Sequence, residues 1–192
     1  MRTFAVVLML ALLAAGCAAP PQSQAPAGAS QNVAALSQAI LALGPGIDPE
    51  EADRAARVAY SETRVLAEAY QITDPPLIHN TKVNLGLRPR GLCYHWAMDM
   101  EARLAQEDFR TLALHRAIAN ADVAFRIDHS TVIVSRRGDP YDAGIVLDPW
   151  RLGGVLFWAP VREDSRYVWH PRAAVLAEKS ARLSRRQALA AR

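Results

Sequence analysis

Gly91-Leu92-Cys93-Tyr94-His95-Trp96-Ala97 is the stretch around which the chain is organised. It follows a helix-breaking run, Arg88-Pro89-Arg90-Gly91, and opens a helical pattern that continues from Met98 to Ala105. Cys93, Ala97, Met100 and Leu104 fall on one face at helical spacing, and that face is apolar. The expectation is a central buried helix with Cys93 in its first turn. Unsatisfied backbone N–H groups and the positive end of the helix dipole favour a thiolate there.

Downstream the pattern turns to strands. Phe109–Ala119 mixes apolar and polar positions and reads as a strand; Ala124–Ser135 is richer in β-branched residues. Arg136-Arg137-Gly138-Asp139-Pro140 is a turn, followed by strands at Gly144–Asp148 and Val155–Trp158, with a short one expected at Tyr167–Trp169. Upstream, Asn32–Leu43 is a short amphipathic helix closed by Gly44-Pro45-Gly46. Asp48-Pro49-Glu50-Glu51 gives the cap, the first-turn proline and the acids of a second helix running to about Tyr70. Leu77–Gly91 has no steady period and reads as an ordered loop. Helices first and an antiparallel sheet of about four strands after them make the fold α+β.

A thiol nucleophile needs a base and a third group to orient that base. If the strands at Ala124–Ser135 and Gly144–Asp148 form a hairpin turning between Gly138 and Asp139, His129 and Asp148 fall opposite each other. His115, on the preceding strand, is the competing base. His95 lies two residues after Cys93, about 200° round the helix, and points away. His79 and His170 sit beside turn signals, as surface or packing residues. The plainer reading of Cys93 is a small buried hydrophobe. A metal site is disfavoured, because Cys-x-His on a helix splays its ligands and no paired cysteines are present. No cofactor is expected.

The N-terminus explains where such a thiol would work. Arg2, the twelve apolar residues Phe4–Ala15 and small residues before Cys17 describe a signal peptide over 1–16. Leu13-Ala14-Ala15-Gly16-Cys17 resembles a bacterial lipobox with Cys17 as the lipidated residue; the alternative is an ordinary secretory signal cut slightly later. Ala18 after the cysteine resembles lipoproteins passed to the outer membrane. Residues 17–31, rich in Pro, Ala, Gln and Ser, read as a tether. The folded domain is then 32–170. With two cysteines in the chain, lipid on Cys17 leaves Cys93 without a disulfide partner. The last segment, 171–192, has six basic residues and one acid. Taking its +5 and the charge of Arg2 from the total of +3 leaves the remainder near −3, so the basicity belongs to the tail. Contact with anionic lipid and a solvated, frayed helix are its two readings. No aromatic residues interleave the basic ones, which argues against nucleic acid.

Gly91-Leu92-Cys93-Tyr94-His95-Trp96-Ala97, then Asp128-His129-Ser130, then Ile145-Val146-Leu147-Asp148-Pro149-Trp150, together resemble the transglutaminase-like branch of the papain-type cysteine enzymes. The resemblance spans about Leu77 to Trp158. It implies a papain/transglutaminase-like fold, with Cys93 as nucleophile, His129 as base and Asp148 as orienting carboxylate. Thr131 and Tyr94 stand where that family more often has aromatic residues or tryptophan. No upstream glutamine of the papain kind is evident, so the Cys93 backbone N–H with Asn84 or Asn80 is the candidate oxyanion hole. The expected activity is that of an envelope-anchored peptidase, amidase or transamidase facing the periplasm. Its substrate would be a peptide or protein of the envelope, and its membrane contact the lipid on Cys17. The alternative is an inactive lipoprotein of the same fold that binds a protein or peptide, with Trp96, Trp150, Trp158 and Trp169 as candidate groove residues.

Overall fold

In the computed structural model, residues 27–191 are described. The expected signal peptide, Cys17 and the first part of the tether lie outside them. Among the described residues four helices precede the sheet: α1 (Ala27–Leu41), α2 (Pro49–Ala69), α3 (Pro76–Asn84) and α4 (Cys93–Ala105). Strands β1 (Leu112–Ala119), β2 (His129–Arg136), β3 (Ile145–Asp148), β4 (Phe157–Pro160) and β5 (His170–Pro171) follow, then α5 (Arg172–Ala190). The sheet is antiparallel in the order β4-β3-β2-β1-β5, so the fold is α+β with five strands, the last a two-residue edge. No helix among the described residues is long and apolar enough to cross a membrane.

The helices cover one face of the sheet. Leu36 and Ile40 of α1, Ala52, Ala55, Ala56 and Ala59 of α2, and Ala97, Met100 and Leu104 of α4 pack on Val132, Val134, Ile145 and Leu147. The alanine stripe of α2 lets its backbone come close to its neighbours, while β-branched and leucine side chains fill the sheet side. On the opposite face Ala117, Ala119, Ile133 and Val146 lie under Val161, Tyr167 and Trp169. β2 is therefore buried on both faces.

The start of α2 follows its cap signals: the Asp48 carboxylate accepts from Glu50 N at 2.8 Å, with Pro49 in the first turn. The next acid does more. Glu51 is buried, and its carboxylate accepts from Arg110 N (2.7 Å), Thr111 N (2.8 Å) and Thr111 Oγ1 (2.6 Å), fastening α2 to the entry of β1.

Several expectations are corrected. Leu77–Gly91 is not all loop, since α3 occupies Pro76–Asn84; it buries only His79 and so has no apolar stripe to read. The first helix begins at Ala27, inside the expected tether. β2 begins at His129 rather than Ala124, because the chain turns through positive φ at Asn120 and Phe125. The β2–β3 register is Val132↔Leu147, so Asp148 lies two positions from the place directly opposite His129. A 3₁₀ turn at Tyr141–Ala143 moves the centre of the hairpin by one residue. β4 starts two residues later than expected, at Phe157. Tyr167–Trp169 does not pair: Tyr167 and Trp169 point onto the sheet and Val168 outward, so this extended segment lies across the sheet instead of within it. By contrast, the tail is a helix that buries only Val175, as the solvated-helix reading expects.

Candidate active site

The loop that delivers Cys93 is held from several sides. Gly91 has φ +121°, and a Cβ there would sit 2.3 Å from His79 Nε2, so both conformation and space require glycine. His79, expected in a loop, is instead buried on α3 and donates Nε2–H to the Arg90 carbonyl at 2.9 Å. The Arg90 guanidinium reaches both oxygens of Asp99 at 2.8 Å, and the Tyr70 hydroxyl donates to the same carboxylate at 2.5 Å. Trp96 donates its indole N–H to the Gly91 carbonyl (3.1 Å) and meets Tyr70 edge-on. His95 turns back and accepts from Gly91 N and Leu92 N through Nδ1, at 3.2 and 3.3 Å. Burial and the nearby Arg90 charge lower its pKa, which keeps it a neutral acceptor.

Cys93 is the first residue of α4 and 7% exposed. Its thiol donates to the Asp128 carbonyl at 3.4 Å, at the chain's entry into β2. His129, the next residue, is fully buried and bonds through Nε2 to Asp148 Oδ2 at 2.7 Å. The two-position offset keeps both side chains on one face of the sheet, as diagonal neighbours. Trp150 and Tyr167 lie 4.7 Å from the imidazole and Trp169 5.3 Å, ring to ring. Burial opposes the charged imidazolium. The Asp148 carboxylate, aided by the Cys93 sulfur, outweighs it and pushes the His129 pKa up to about 9. Nδ1 is buried and has no hydrogen-bond partner among the described residues, so it is the nitrogen left for the thiol.

Asn80 is tied to this cluster: its Oδ1 accepts from the Trp150 indole N–H at 3.1 Å, leaving its amide N–H groups free to donate. Asn84 is exposed at the end of α3 and has no side-chain hydrogen bond among the described residues. His115 is four residues along β1 from the partner of His129 and bonds Ser135 Oγ at 2.8 Å, away from the thiol. His170 is exposed in β5. Among the described residues no three His, Cys, Asp or Glu side chains gather as metal ligands.

Two residues of the cluster escape sequence reasoning. Arg151 donates Nε–H to Asp148 Oδ2 (2.9 Å) and its backbone N–H to Oδ1 (3.1 Å). Its other nitrogens hold Asp164 at 3.1 and 2.6 Å. Asp164 lies in the run Arg162-Glu163-Asp164-Ser165-Arg166, which reads as solvated surface; only the buried aromatic pair just after it hints otherwise. The chain matches no protein-family model, no curated protein and no solved structure.

Proposed function

We propose that this chain is a thiol enzyme of the transglutaminase-like class that acts on amide or peptide bonds. The observation that carries the reading is the His129–Asp148 pair: a buried imidazole bonded to a carboxylate at 2.7 Å, which raises its pKa, with its other nitrogen beside a thiol at a helix start. In the proposed course the Cys93 thiolate attacks the substrate carbonyl, and the oxyanion is held by the Cys93 backbone N–H and the Asn80 amide. As the C–N bond breaks, the His129 imidazolium gives its proton to the leaving amine. Water, or an acceptor amine, then attacks the thioester and returns a proton to His129. Anchoring through lipid on Cys17 would place the substrates in the envelope.

Acylation is the direct test. Intact-mass analysis after incubation with a panel of peptide esters should show one acyl group on the protein, absent from Cys93→Ala. The rate in His129→Ala should fall by about 10²- to 10⁴-fold. Absence of acylation across the panel would favour the second reading, a binding lipoprotein on this fold. One observation supports that alternative: Cys93 is buried with its hydrogen directed at a backbone carbonyl.

A further inference from the structure

We propose that Arg151 and Asp164 are positioning residues that set how strongly Asp148 holds His129 in its charged form. This deepens the thiol-enzyme reading and takes its purpose from it. Arg151 Nε–H and His129 Nε2–H end on the same oxygen, Asp148 Oδ2, at 2.9 and 2.7 Å. The two cations therefore compete for one carboxylate. On its far side Arg151 makes a bidentate pair with Asp164, which also accepts from Trp169 Nε1 (2.9 Å) and Arg166 N (3.1 Å). Trp169 then returns to His129 by ring contact. Five side chains thus close a loop: His129, Asp148, Arg151, Asp164 and Trp169.

Charge decides what the loop does. Asp148, Arg151 and Asp164 carry a net −1, and only the imidazolium brings the buried group to neutrality. Asp164 draws the Arg151 charge toward itself and leaves Asp148 to His129. The guanidinium carbon lies over the Phe157 ring, 3.7 Å from its centroid, and over the Tyr167 ring at 4.7 Å, contacts that help hold it between the two carboxylates. Other charged groups nearby have their own engagements. The Asp128 carboxylate is paired with Lys179 of α5, and Arg166 lies over the Tyr167 ring. Cys93 on α4 and the Tyr167 phenol, whose ring lies 4.7 Å from the imidazole and whose pKa burial raises, are the remaining titratable groups facing it.

The test uses the whole chain carrying Cys17→Ser and follows the His129 ring signals by NMR as pH is raised. Asp164→Asn leaves the full Arg151 charge on Asp148, so the His129 midpoint should fall by about one unit or more, a tenfold loss of imidazolium above it. Arg151→Gln removes the cation that competes for Asp148 Oδ2, so the midpoint should rise. The double variant should return toward the parent value. A packing role predicts no such opposition; midpoints that move the same way, or not at all, overturn the proposal. If Arg151→Gln does not fold, Asp164→Asn and the double variant decide: a midpoint that does not fall in Asp164→Asn overturns it. Cys93 acylation is read in the same samples. Opposite midpoint shifts with an inert thiol would sink the enzyme reading and leave this charge frame standing.

Discussion

The two faces of the sheet are built on different terms. Toward α1, α2 and α4 the side chains are aliphatic apart from Ser130; toward Tyr167 and Trp169 they include His129, Thr131, Ser135 and Asp148, each buried and polar. Leu147 and Asp148 are neighbours in sequence and face opposite ways. An aliphatic face loses stability in proportion to the volume removed. A buried polar face fails differently, because deleting one partner leaves the others buried and unpaired. Packing and the candidate site are thereby carried by alternate residues of the same strands.

The strongest way to break this comparison is Asp148→Ala. It leaves His129 and one side of Arg151 without their acceptor, and should cost about 3–5 kcal/mol in urea unfolding. It should also change the pH dependence. A histidine raised from 6.5 to about 9 on folding contributes stability that is fully present below pH 6.5 and lost as pH climbs through 9. That alkaline loss should vanish in the variant. Leu147→Ala, one residue away, should cost about 2–5 kcal/mol and leave the pH profile of Cys93 reactivity unchanged. A shifted profile in Leu147→Ala would show that the two faces are not independent.

Glu51 sharpens the same contrast on the helical side, where it is a buried carboxylate at the edge of an aliphatic core. Burial raises its pKa, but the hydrogen bonds from Thr111 and Arg110 prevail and hold it below the usual carboxylate value of 4.5. Its contribution is present above that pH and is lost as pH falls through the lower folded value. Glu51→Gln should cost about 1.5–3 kcal/mol near neutrality, read by urea unfolding, and should flatten the acid limb of the stability curve. The smallest effect belongs to the exposed helix. Lys179→Ala removes a half-exposed ion pair to Asp128 and should change stability by less than about 1 kcal/mol.

The legible parts of this molecule are those with a repeating pattern. The apolar face of α4 places Cys93 at its start, the caps of α2 fix its ends, and the β-branched runs give β2 and β3. His129 and Asp148 meet even though the register differs from expectation, because a shift of two keeps each side chain on its face. Parity protects a site that exact pairing does not. What escaped has no period. α3 buries a single side chain, and Tyr167–Trp169 alternates like a strand while lying over the sheet. Arg151 and Asp164 are brought together by a turn and β4, and an ion pair across thirteen residues leaves no mark in hydropathy.

Activation of Cys93 by His129 and Asp148 is read from its thiol reactivity against pH, in the chain carrying Cys17→Ser and beside His129→Ala and Asp148→Ala. Alkylation should already be fast below pH 7 and be slowed sharply by either substitution. A thiol that titrates near the ordinary value of about 8.5 in all three proteins, or reacts in none, would contradict that activation.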